Sequence, residues 1–413
     1  MWAIGSLALY AQESDQVSLD FLANARPTTT SVAATAKGIR PTGLAATAST
    51  PGVDTIVTFN GTYNTPGYDN AGNPNRKWYY NMAGRSPEYP GTTTFNAPII
   101  PVSIDLRNYD GSPRYLNGVR LYLDATQYVD KVVGSPVFSK AKFSTSERPT
   151  QITDAVQRAE FWDNFEDGWH TMLAPAVKTP RVMVLIRGTY RFATYSDGTL
   201  AYVLVDGATF GSLLFPANFP FTATDLATPI GAAEAAGDIT TQDISTFLFP
   251  DTYLYSGDPS NCCVLGYHTY DFEPGVPENG NRVRKYVLNY SSWISPGIFG
   301  SFQDVTATSH EIAESFNDPF VVDDGVHNLT PWWLAPNGNC QNDLEVGDVI
   351  EGLPRAVYPI TMPNGFTYHP QNEALLQWFE FKSPSNAIGH AYSYPDVTTL
   401  TALSPVEKVN CAP

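Results

Sequence analysis

SHEIAESFNDP, residues 309–319, decides how the rest of the chain is read. On a helix advancing about 100° per residue, His310 and Glu314 fall on one face a turn apart, with Glu311 leaning over the same edge. Ile312 and Phe316 point the other way, joined by Val305 if the helix reaches back that far. The segment is therefore amphipathic, with its ionisable groups gathered on one side. Pro319 disfavours helical geometry at Asp318, which predicts a helix from about Thr306 to Asn317.

That pattern suits metal chemistry. A neutral imidazole and a carboxylate oxygen are both Zn²⁺ ligands, which casts His310 and Glu314 in that role. Glu311 stands where a general base takes a proton from an attacking water and passes it to a leaving amine. A catalytic site of this kind needs a third protein ligand and an open position. DLEVGD (343–348) offers Glu345 as the third ligand, while Asp348 or Asp318 orients the ligands from behind. His327, in DDGVHN, is an alternative third ligand. One histidine with two carboxylates neutralises the ion within its own ligand set, so Ca²⁺ or Mn²⁺ compete with Zn²⁺. His268 fits either an electrophile that stabilises an oxyanion or a structural histidine; His170, His369 and His390 read as structural or exposed. A bare HExxE is also a common pattern on solvated helix faces, so context has to carry the assignment.

The 413 residues are enough for one large domain with a sizeable core. Hydrophobic residues make up 43% and charged residues only 16%, with 33 prolines and 31 glycines, a mix that favours strands joined by turn-rich connections. A net charge of −17 argues against nucleic acid and against an anionic membrane surface, both of which need clustered Lys and Arg. MWAIGSLALYA (1–11) resembles the end of a secretory signal peptide, and no run of 18 apolar residues suggests a membrane span. In an exported chain the four cysteines suggest two disulfides. Adjacent cysteines seldom bond each other, so Cys262 and Cys263 are each expected to pair with Cys340 or Cys411. Sequons lie at Asn60, Asn289 and Asn328.

Residues 12–52, dominated by the Ala/Thr/Pro-rich run from 25 onward, read as a leader or linker. From residue 53 to 413 the pattern is a single strand-rich domain, α/β or α+β, carrying the helix above. Strands are predicted in DTIVTFNGTYN, RKWYYNM, NAPIIPVSIDL and NGVRLYLDA. RFATYSDGTLAYVLVDG reads as a hairpin turning at Asp197-Gly198. Further helices are predicted over 150–165, 241–247 and 371–379. Glu160, Asp163, Glu166 and Asp167 form a carboxylate cluster that reads first as a solvated helix face and second as a glycosidase pair.

HEIAESFNDP, with WW at 332–333 and LEVGD at 344–348, resembles secreted proteins of the EXORDIUM/phosphate-responsive type and related uncharacterised bacterial and fungal secreted proteins. In those a His-Glu-x-x-Glu helix ends in Asp/Asn-Pro, and a Glu-x-Gly/Ala-Asp element follows. CCVLGYH (262–268) is similar to their Cys-Gly-x-His element, and TQITDAVQRAEFW (150–162) and YHPQNEALLQWF (368–379) to other segments of the bacterial and fungal members. The resemblance covers residues 55–400 in patches and implies a secreted, zincin-like hydrolase, without naming a substrate. The leading expectation is a zinc metallopeptidase acting on a peptide or protein. The alternatives are a non-catalytic secreted protein with a structural cation that binds cell-wall polysaccharide, and a glycoside hydrolase using Glu311 with a distant carboxylate.

Overall fold

The computed structural model describes residues 15–23, 25, 49–65, 77–143, 148–321, 333–341 and 344–404. The predicted signal segment, His327, Asn328, Trp332 and Cys411 lie outside these residues. At the centre is a mixed eight-stranded sheet. Its longest strands are β1 (Thr92–Arg107) and β6 (Arg284–Phe299), with β2 (His170–Val177), β3 (Arg181–Ile186), β4 (Ile244–Pro250), β5 (Gly266–Glu273) and β7 (Phe302–Asp304) around them. β4 runs parallel between β1 and β6, and β2 and β3 pair in parallel with successive halves of β1. From Ala97 to Leu106 every residue of β1 is buried, as is all of β4, because parallel strands covered on both faces lose the alternating pattern of a half-exposed strand. ISTFLFP (244–250) is expected to end a short helix; a run of apolar and β-branched residues broken only by Ser245, all of it buried, forms a core strand instead.

The hairpin prediction holds: Tyr190–Thr194 and Leu200–Asp206 pair antiparallel, and Asp197 Oδ1 accepts from the Thr199 N–H across the turn. These strands belong to a second sheet of four. Residues 15–22, placed in the leader by composition, are built into the domain. Asp15 pairs with Arg114 and Arg187, Gln16 bridges to Phe192, and Leu22 is buried. Of the predicted 371–379 helix only Leu376–Phe379 forms. Asn289, a sequon position, is fully buried in β6. No helix among the described residues is long and apolar enough to cross a membrane.

The cysteine expectation is corrected. Cys262 and Cys263 are bonded to each other, their Cα atoms 3.0 Å apart in a short buried strand, so neither is available to a distant partner.

Two helices set up the site, α1 (Ile152–Glu160) and α2 (Thr306–Asn317). α2 lies across β6, fastened by Thr308 Oγ1 to Ser291 Oγ (3.0 Å) and by Ser315 Oγ donating to Asn289 Oδ1 (2.7 Å). Asn289 is the cross-strand partner of His268 on β5, so that second fastening sets the Glu314 turn of α2 beside His268. Val305, Ile312 and Phe316 enter one apolar cluster, as the periodicity predicts. The helix ends at Asn317, capped by Asp318.

At the end of α1, Glu160 is buried, whereas Asp163, Glu166 and Asp167 are exposed, so the predicted carboxylate cluster divides. Glu160 Oε1 accepts from Asn317 Nδ2 (2.8 Å) and the Leu376 N–H (3.2 Å). Burial outweighs these bonds and pushes its carboxyl up to about 8. The folded state thus holds a proton that the unfolded chain releases above its ordinary value of 4.5. Stability from this proton is full below that value and is lost as pH rises through about 8. Glu160→Gln is accordingly expected to melt with the parent near pH 4.5 and several degrees above it near pH 8.5, an effect on the order of a few kcal/mol. Equal melting differences at both pH values would show that Glu160 is not a buried, neutral acid.

Candidate metal centre

Every residue of α2 is buried, so His310, Glu311 and Glu314 project from a helix with no solvated face. Burial separates this HExxE from a solvated helix face, because ionisable groups are driven inside only when something compensates them.

His310 is held from behind. Gln371 Nε2 donates to the Gly347 carbonyl (2.6 Å), which fixes the amide and turns Oε1 toward His310 Nδ1 (3.2 Å). A neutral ring therefore carries its proton on Nδ1 and presents a lone pair at Nε2. That Nε2 lies 3.1 Å from Glu314 Oε1 and 3.3 Å from Asp348 Oδ1, yet among the described residues makes no hydrogen bond in proper geometry. Glu314 Oε1 also accepts from the Gly347 N–H (3.1 Å). Gly347 and Gly266 are close-approach glycines. A Cβ on Gly347 would sit 2.6 Å from the His310 ring, and one on Gly266 would sit 2.5 Å from Glu311 Oε1.

Two sets of donors converge here. His310, Glu314 and Asp348 form one, and His268, Glu314 and Glu345 form the other. Asp348, expected to orient the ligands, thus groups with His310, while Glu345, expected beside His310, groups with His268. Their order in DLEVGD could not separate these roles. His268 is buried and faces Glu314 Oε2 at 3.1 Å, which draws it into the cluster rather than leaving it a separate oxyanion group. Asp318 caps the helix, its N–H donating to the Glu314 carbonyl (2.6 Å), and belongs to neither set. His170 is paired with Asp154, His369 with Asp304, and His390 with the Ser385 carbonyl, all local structural contacts.

Glu351 and Glu373 were missed by the sequence reading. Both are buried and feel the field of His310 and its carboxylates. Their signal, a carboxylate embedded in an apolar run (VIEGL, NEALL), is weak because surface carboxylates also occur beside apolar residues.

The electrostatics show a deficit of positive charge. Burial pushes Glu311 and Glu373 well above the carboxylate range and Glu351 up to about 8. Burial acts on Glu314 too, but His310 and His268 overcome it and hold its carboxyl well below the usual range. Burial would make His310 less basic, yet Glu314 and Glu311 make it more so. Charge balance among these buried groups calls for protons on several of the carboxyls. A divalent cation can replace those protons, so the donor set fits a metal on chemistry as well as geometry. Ligands about 2.0–2.1 Å from a tetrahedral Zn²⁺ stand about 3.3 Å apart, close to the spacings around His310 Nε2.

Against family models, curated proteins and solved structures, the chain finds no match.

Proposed function

We propose that the chain is a secreted metal-dependent hydrolase, a zinc metallopeptidase of the zincin-like kind. His310, Glu314 and Asp348 hold the ion and Glu311 serves as general base. The main support is the buried His310 Nε2 facing two carboxylate oxygens at ligand spacing, with its opposite nitrogen tied to Gln371. When bound, the ion supplies Lewis acidity toward a scissile carbonyl. Glu311 accepts the proton of the attacking water and returns it to the leaving nitrogen. Gly266 leaves room for its carboxylate, and Gln371 with Gly347 keeps the His310 ring from turning.

A second reading has its own support. His310, Glu311 and Glu314 are at most 3% exposed, as suits a structural cation in a non-catalytic protein. The exposed rings of Tyr109 and Tyr115 would then be its sites for cell-wall polysaccharide.

Chelator-stripped full-length chain, reloaded with Zn²⁺ and offered fluorescein-labelled casein, tests both. The peptidase reading expects at least one equivalent of bound Zn²⁺, cleavage that returns with the metal, and loss of both in Glu314→Ala. Zn²⁺ that raises the melting temperature without any cleavage favours the structural cation. No bound Zn²⁺ overturns both.

A further inference from the structure

The two oxygens of Glu314 face different histidines. Oε1 lies 3.1 Å from His310 Nε2 and Oε2 lies 3.1 Å from His268 Nδ1. Each side has a further carboxylate: Asp348 Oδ1 stands 3.3 Å from His310 Nε2, and Glu345 Oε2 stands 3.8 Å from His268 Nδ1. We propose a two-cation centre in which Glu314 bridges one divalent ion held by His310 and Asp348 and a second held by His268 and Glu345. It rests on the metal reading above and adds a position to it.

Two observations converge on the second ion. The donor sets are complete without borrowing from each other except at Glu314, whose oxygens point to opposite sides. A carboxylate bridging in this way suits ions about 3.5–4 Å apart, the usual spacing of paired catalytic metals. Glu311 spans the same gap, with Oε1 4.0 Å from His310 Nε2 and Oε2 4.0 Å from His268 Nδ1. Its Oε2 is buried and makes no hydrogen bond among the described residues, so a polar atom is aimed into the space between the histidines. The two positions also differ in access, since the Glu345 side chain is 20% exposed and that of Asp348 only 5%. The second ion therefore sits toward solvent and exchanges first.

Full-length chain stripped with chelator and titrated with Mn²⁺ alone decides this by metal analysis and electron paramagnetic resonance. Two equivalents are expected, with the second giving an exchange-coupled spectrum in place of the isolated-ion signal. Glu345→Ala, at a partly exposed position that should fold, is expected to bind one equivalent with an uncoupled spectrum, and His268→Ala the same. Saturation at one equivalent that Glu345→Ala and His268→Ala leave unchanged but His310→Ala removes would overturn the second position and keep the first. No bound ion in the parent would overturn both readings. Two equivalents with no coupling would place the second ion away from Glu314 and overturn the bridge.

Discussion

Replacing Glu311 with glutamine is expected to lower casein cleavage by about 10³-fold while Zn²⁺ binding stays within a few-fold of the parent. The substitution preserves shape, so the side chain still fits against the Gly266 backbone, where even a methyl group would collide with it. It removes only the ability to take a proton. Stability should not suffer, because the parent carboxyl is buried among Glu314, Asp348 and Glu351 and is pushed well above its ordinary range. A neutral amide relieves that repulsion, so the melting temperature should hold or rise. Each alternative role leaves a different trace. If Glu311 is chiefly a ligand, the ion is lost together with activity. If it is only packing, both are kept. Cleavage that survives in the metal-loaded variant would remove Glu311 from the mechanism.

The helix was legible because its periodicity and its stop at Asp318 are local properties of the chain. Val305, Ile312 and Phe316 turn to the core, and the ionisable residues gather on the remaining surface, as spacing alone requires. Its complete burial was not legible. Ser315 and Thr308 look like surface residues in sequence, yet they fasten the helix to β6 through Asn289 and Ser291. Long-range partners of this kind leave no periodic trace. The same limit explains the exchange of Asp348 and Glu345. Three residues apart in an irregular segment, they are directed to different histidines by how residues 344–351 fold over α2, and no repeat encodes that. Strand β4 failed for another reason: a short apolar run has no period to distinguish a core strand from a buried helix, and the expectation chose the wrong one.

The residue that ties this segment to the helix is Gly347, and Gly347→Ala should cost about 100-fold in Zn²⁺ affinity, roughly 3 kcal/mol. The added Cβ would lie 2.6 Å from the His310 ring, closer than such atoms pack, so either the imidazole turns or the backbone withdraws. Turning the ring takes Nδ1 from Gln371 and swings Nε2 off the line to Glu314 and Asp348. Withdrawing the backbone removes the Gly347 N–H from Glu314 Oε1 and its carbonyl from Gln371 Nε2. Both routes damage the ligand set, because the N–H and carbonyl of this one residue position Glu314 directly and His310 through Gln371. Overpacking should also lower stability by about 1–3 kcal/mol, so a control must separate binding from folding. Gly365 provides it. Its φ of +80° makes alanine unfavourable there, no atom of the described residues stands within 4 Å of the added Cβ, and it lies in the Ile360–Tyr368 hairpin. Gly365→Ala should lose about 1 kcal/mol of stability and leave Zn²⁺ affinity unchanged. If Gly347→Ala also binds Zn²⁺ like the parent, His310 is not a ligand in the place assigned to it, since no ring orientation compatible with that Cβ keeps all its present contacts.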